Sequence, residues 1–264
     1  MGTSYSREPF FRVLNYEESV DALKEAEHTD RYNELVGYSS SNQYARLDGP
    51  YTPYDLTPDE IMKMEEHLQT IQTQIPQRLL KSLEFINVIC LVPSAESGMP
   101  HTRPGNIMCT AHGAPLTFEI CLHELWHIHQ RQFKYRWDGF FTERWFFSPW
   151  QGSLPEDLER SRRFNPDTID TPLWIWKDTW VPVPIMTNVS QPSLRETEIW
   201  FFNAATNIRV REPPQEMQKF FSRSINKMAY EHPREMSAYM LTQKPNLSIP
   251  AYSTLMYFIG KSPR

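Results

Sequence analysis

Apolar and polar positions alternate with different periods along the 264 residues, and the periods divide the chain into predicted elements. Tyr16 to about Val36 reads as one helix, followed by a polar, tyrosine-rich run from Gly37 to Tyr54. Residues 1–55 are therefore expected to be an N-terminal extension that wraps the body or meets a protein partner. Thr57-Pro58-Asp59-Glu60 then combines an N-cap, a proline at the first helical position and a glutamate placed to close a capping box. A long helix is predicted from Pro58 to about Ile75, burying Ile61, Met64, Leu68 and Ile71, with Pro76 ending it.

Phe85 to Val92 is almost wholly apolar and rich in β-branched residues, which predicts a strand. After a loop from Pro93 to Gly105, Asn106 to Ala111 reads as a second strand. Its expected place is the sheet edge, where an extended peptide can pair with it through main-chain hydrogen bonds. Thr117 to Phe133 is a helix capped by Thr117, with Phe118, Cys121, Leu122, Leu125 and Trp126 forming an apolar stripe. Residues 135–190 are dense in Trp, Phe and Pro, and regular helix is not expected there. Their aromatics are read as core, with a substrate groove as the alternative, and Phe164-Asn165-Pro166-Asp167 as a turn. Residues 191–264 are expected to be mainly helical, with Met217, Phe220, Phe221, Ile225 and Met228 at helical spacing. The sum is an α+β domain over 56–264: a small mixed sheet packed on the long helix and the 117–133 helix.

Composition narrows the function. The net charge is −5 and no basic stripe occurs, so nucleic acid is not expected as a partner. The N-terminus lacks the apolar core of a signal peptide and no stretch matches a membrane span, so a cytoplasmic protein without a transmembrane segment is expected. Gly2 and Ser6 fit the short N-myristoylation pattern, and Asn188 and Asn246 open glycosylation sequons. Cys90, Cys109 and Cys121 have no Cys-x-x-Cys spacing and are read as buried free thiols. A cysteine hydrolase built on Cys121 or Cys109 would need an activated thiolate, which these apolar settings oppose.

The chemistry concentrates in His123-Glu124-Leu125-Trp126-His127. Residues four apart on a helix are offset by about 40° and about 6 Å, so both imidazoles share one face. Glu124 stands at the edge of that face, within reach of a water on a metal there. Only Glu124 is charged between Ile120 and Gln130, as suits a buried helix.

A catalytic zinc site needs a third protein ligand. A metzincin would place glycine and then histidine after His127, whereas this chain has Gln130 and Phe133, and His129 falls on the far side of the helix. In Glu231-His232-Pro233-Arg234-Glu235-Met236-Ser237-Ala238-Tyr239, Pro233 sets a first helical turn from which Glu235 projects; Glu196 and Glu198 are the rival carboxylates.

His-Glu-x-x-His-x-x-Gln together with the later His232-Pro233-x-Glu235-x-x-Ala238 resembles the gluzincin-like zinc metallopeptidases. The resemblance covers about a fifth of the chain. It implies a zincin-like fold, Zn2+ on His123, His127 and Glu235, and Glu124 as the general base for hydrolysing a peptide or protein substrate. A donor for the developing oxyanion is also expected. Tyr230 heads the candidates, with His232, Tyr239, His101 and His112 as the others. The competing reading is a non-catalytic structural or assembly protein that retains this fold.

Overall fold

The computed structural model describes residues 10–36 and 50–260. Gly2, Ser6 and most of the tyrosine-rich run lie outside them. The chain is α+β, with two separate sheets.

The first element is β1 (Phe11–Val13), followed by α1 (Tyr16–Asp30), which starts on an Asn15 and Glu18 capping box. The single helix expected to Val36 is broken: Arg31 adopts φ 53°, and α2 (Tyr32–Leu35) follows. Left-handed backbone cannot continue an α-helix. α3 (Pro58–Gln72) begins on the expected Thr57 and Glu60 capping box, and α4 (Gln77–Ser82) follows Pro76. Then come β2 (Ile86–Leu91), a 3-10 turn at Ala95–Gly98, β3 (His101–Arg103) and β4 (Ile107–Ala111).

The first sheet has the order β1-β2-β4-β3, with β3 antiparallel and the other pairs parallel. Two expectations change here. The first 55 residues supply a strand, β1, to this sheet. The 106–111 strand lies inside the sheet, because Gly105 and Asn106, both at positive φ, turn the chain so that β3 covers β4. β2 is apolar apart from Asn87 because both its faces are buried. Ile86, Val88 and Cys90 pack with Leu68 and Ile71 of α3, and Ile89 and Leu91 with Leu23 and Ala26 of α1.

α5 (Phe118–Gln132) follows, then α6 (Lys134–Trp145), a regular helix where none was expected. Trp137, Phe140, Phe141 and Trp145 recur at helical spacing and are all buried, so one apolar face outweighs the low helix propensity of aromatic residues. β5 (Phe147–Pro149), α7 (Glu156–Ser161), β6 (Trp174–Trp176), β7 (Trp180–Met186), β8 (Thr197–Asn203) and β9 (Arg209–Val210) follow. The five strands form an antiparallel second sheet in sequence order. Part of the C-terminal region expected to be helical is thus strand. Pro182 and Pro184 are tolerated in β7 because β6 pairs with it only at Trp180, leaving that edge without ladder donors to satisfy. The aromatics of 135–190 are mostly core: Trp137, Trp145, Trp174 and Trp176 are at most 1% exposed.

The chain closes with α8 (Gln215–Phe221), α9 (Pro233–Gln243) and α10 (Pro250–Gly260). The main core joins α3, α5, α6, α9 and α10, so α5 and α9 lie side by side in it. That packing, across more than a hundred residues of chain, positions the site.

Candidate metal centre

Thr117 Oγ1 accepts the Ile120 N–H at 3.3 Å and starts α5. Its apolar residues anchor one face, and His123 and His127 emerge together, their rings 4.7 Å apart. α9 starts on His232, whose Nδ1 accepts the Arg234 N–H at 3.0 Å, with Pro233 as the first helical residue. Glu235 therefore projects from the first turn of α9 toward α5.

The three donor groups converge. His123 Nε2 and His127 Nε2 are 3.0 Å apart, and each lies 3.4 Å from a Glu235 carboxylate oxygen. In a tetrahedral zinc site with ligands at about 2.0 to 2.1 Å, donor atoms stand about 3.3 Å from one another. The set of two imidazoles and a carboxylate thus fits a zinc-sized cation in spacing and in chemistry. Glu196 and Glu198 do not join it: among the described residues the group is His123, His127 and Glu235. Glu198 instead accepts from Trp200 Nε1 at 3.0 Å.

Neighbouring residues orient these donors. His127 Nδ1–H donates to Gln130 Oε1 at 2.9 Å, which leaves the Nε2 lone pair facing the other donors. The Gln130 amide is itself fixed, its Nε2 donating to Arg234 O at 3.1 Å and Ser237 Oγ at 2.9 Å. Asn165 Nδ2 donates to Glu235 Oε1 at 2.8 Å and to Glu231 Oε1 at 2.5 Å; Arg163 pairs with the other oxygen of Glu231 at 2.9 Å.

Electrostatics follow from burial and crowding. Burial opposes charge on His127, but Glu235 and Asp167 outweigh it and push its pKa up to about 10. Burial also opposes the charge on Glu235, yet His127 and His123 hold it well below the usual carboxylate range. Glu124 is 4% exposed; burial and then Asp167 raise its pKa well above normal, outweighing the opposing pull of His127. Its Oε2 is buried without a hydrogen-bond partner. An orphaned buried acceptor is costly, and a water beside the metal ligands would satisfy it.

A cleft of about 620 Å³ opens onto this group, lined among others by His101, His123, Glu124, Glu235 and Tyr239. Tyr230 is not there. Its hydroxyl donates to Ser222 O at 2.9 Å and its ring packs on Phe201 and Phe221, so the oxyanion expectation for Tyr230 is corrected. The tyrosine at the site is Tyr239, its ring 4.9 Å from that of His123. His232 is committed to capping and to Thr171 O, and His112 stacks on Tyr54 away from the cleft. His129 accepts from Trp137 Nε1 at 2.9 Å, a packing role. The cysteines are buried, and burial pushes the Cys109 and Cys121 thiols up to about 12, against any nucleophilic use.

Sequence reading passed over Gln130, Asn165 and Asp167 as site residues. The Asn165-Pro166-Asp167 turn was the available signal, since a loop with two amide or carboxylate side chains can serve groups on either side of it. Comparison with protein-family models, curated proteins and solved structures gives no match to this chain.

Proposed function

We propose that this protein is a zinc-dependent metallopeptidase with a zincin-like arrangement, a small mixed sheet carrying the metal helix α5. The observation that supports the reading is the tetrahedral spacing of His123, His127 and Glu235 beside the unpartnered carboxylate of Glu124. When bound, zinc supplies Lewis acidity, polarising a substrate carbonyl and making nearby water more acidic.

The chain's own groups divide the remaining work. Glu124 takes the proton of the attacking water at its free oxygen and returns it to the leaving amine. The Tyr239 hydroxyl, whose hydrogen bond among the described residues is one accepted from Asn226 Nδ2 at 3.3 Å, keeps its proton free to donate to a developing oxyanion. Gln130 and Asn165 hold the ligands in register. Among the described residues no helix is long and apolar enough to cross a membrane.

The test is zinc content and peptide hydrolysis for wild type and Glu124→Gln. One zinc per chain and turnover lost in Glu124→Gln are expected. Zinc bound with no turnover dependent on Glu124 would leave the non-catalytic reading in its place.

A further inference from the structure

Glu235 and Tyr239 are four residues apart, so α9 presents both on the face that lines the cleft, as α5 presents His123 and His127. The 3-10 turn Lys227–Glu231 packs against α9, and Asn226, also on the cleft, caps it. Asn226 Oδ1 accepts the Met228 N–H at 3.0 Å, and its carbonyl accepts the Ala229 N–H at 3.0 Å. An amide whose oxygen is committed to a backbone N–H cannot flip, so its nitrogen has one direction left. In that direction Nδ2 donates to the Tyr239 hydroxyl oxygen at 3.3 Å.

That bond decides where the tyrosine proton stands. A phenol carries one hydrogen, which conjugation holds near the ring plane on one side of the oxygen or the other. The Asn226 N–H occupies one side, and turning the hydroxyl hydrogen toward it would set two donors against each other. The hydrogen is left on the opposite side, and accepting a bond polarises the O–H into a stronger donor. Tyr239 has no acceptor for that hydrogen among the described residues. Its ring stands edge-on to that of His123, 4.9 Å away at 74°. A donor already oriented and without an acceptor, beside the metal ligands, is what a developing oxyanion requires.

We propose that Asn226 is a positioning residue for the reaction: through its capped amide it fixes the direction of the Tyr239 hydroxyl proton before substrate arrives. The proposal rests on the hydrolase reading above, in which Tyr239 is the oxyanion donor. Asn226→Asp separates it from a structural role. Aspartate keeps the cap on Met228 and puts an acceptor where the donor was, so that the Tyr239 proton turns toward it and away from substrate. In the zinc-loaded full chain kcat should fall by about 30-fold or more with KM within about twofold. In the Tyr239→Phe background the same substitution should change kcat by less than about threefold, because no proton remains to be misdirected. A charge effect on the metal or a loosened turn would persist in that background, so equal losses in the two backgrounds overturn the proposal, as does an unchanged kcat in Asn226→Asp. Zinc content and melting temperature report that the variants are folded.

A second arm needs no turnover. Acetohydroxamate is a small anion that binds an accessible zinc ion whatever the peptide specificity. Calorimetry should show it binding the zinc-loaded wild type about tenfold more tightly than Asn226→Asp, and binding Tyr239→Phe and the double variant within about threefold of each other. Equal binding by wild type and Tyr239→Phe removes the donor and the proposal with it, and equal losses on Asn226→Asp in both backgrounds do the same. Failure of the wild type to cleave any peptide sinks the hydrolase reading, while the coupling measured in binding still decides the role of Asn226.

Discussion

Oε1 of Glu235 faces His127 Nε2 at 3.4 Å and simultaneously accepts a hydrogen bond of 2.8 Å from Asn165 Nδ2. The same amide holds Glu231, so one side chain from the 163–170 loop keeps two buried carboxylates apart and aims one of them at the imidazoles.

Asn165→Ala removes that aim. Zinc affinity is expected to fall by about 10- to 100-fold, the usual cost of losing a group that orients a metal ligand. Competition titration against a chromophoric chelator measures it, and an unchanged affinity would mean that α9 alone orients Glu235.

Zinc should stabilise the fold because its ligands come from two separate helices. At free zinc about 1,000 times Kd, unfolding free energy rises by about 4 kcal/mol, and the increment disappears in His127→Ala. Calorimetry with and without chelator reads the difference.

The two tyrosines near Glu235 in sequence part company in space. Tyr239→Phe should lower kcat by about 100-fold with KM little changed, as for loss of an oxyanion donor. Tyr230→Phe breaks the bond to Ser222 O and should cost about 1 kcal/mol of stability while leaving kcat within about twofold. Steady-state kinetics on both variants decides between them.

His232 gives the fold an acid-side weakness. Burial, then Arg234, depresses its pKa to about 3, because its Nδ1 accepts the Arg234 N–H and cannot also hold a proton. The unfolded chain binds the proton at about pH 6.5, so the stabilisation is complete above that pH and is lost as pH falls toward 3. Between pH 7 and pH 5 the contribution shrinks by about 2 kcal/mol. His129, depressed to about 4 by burial, adds a parallel loss. His232→Asn keeps a capping acceptor without a titrating group, so urea unfolding of the metal-free variant should show a pH slope smaller by about that amount.

Arg103 ties the N-terminal helix to the sheet edge. Its fully buried guanidinium bonds Asp30 at 2.7 Å and Glu27 at 3.0 Å. Arg103→Met leaves Asp30, 3% exposed, as an unpaired buried charge and should cost about 3 to 5 kcal/mol in denaturant unfolding.

Much of this was readable from the chain because it depends on local geometry. The capping box at Thr57, the apolar run of β2 and the shared face of His123 and His127 follow from neighbours within a few residues, which obey the helix and strand periods whatever surrounds them. Pro233 likewise placed Glu235 in a first helical turn. Other features were decided by packing. A periodic aromatic face produced α6 in a region whose composition argued against helix, and the Gly105 and Asn106 turn laid β3 over the strand expected at the edge.

The sequence by itself determined that two imidazoles share a helix face with a neighbouring carboxylate, and that a further carboxylate stands at a helix start. Only the tertiary structure decided that Glu235 closes the group and not Glu196 or Glu198, that Tyr239 and not Tyr230 reaches it, and that Asn165 holds Glu235. The physical reason is range: a helix fixes groups four residues apart through its own hydrogen bonds, whereas α5 meets α9 only through burial of a common core, which no short stretch of sequence encodes.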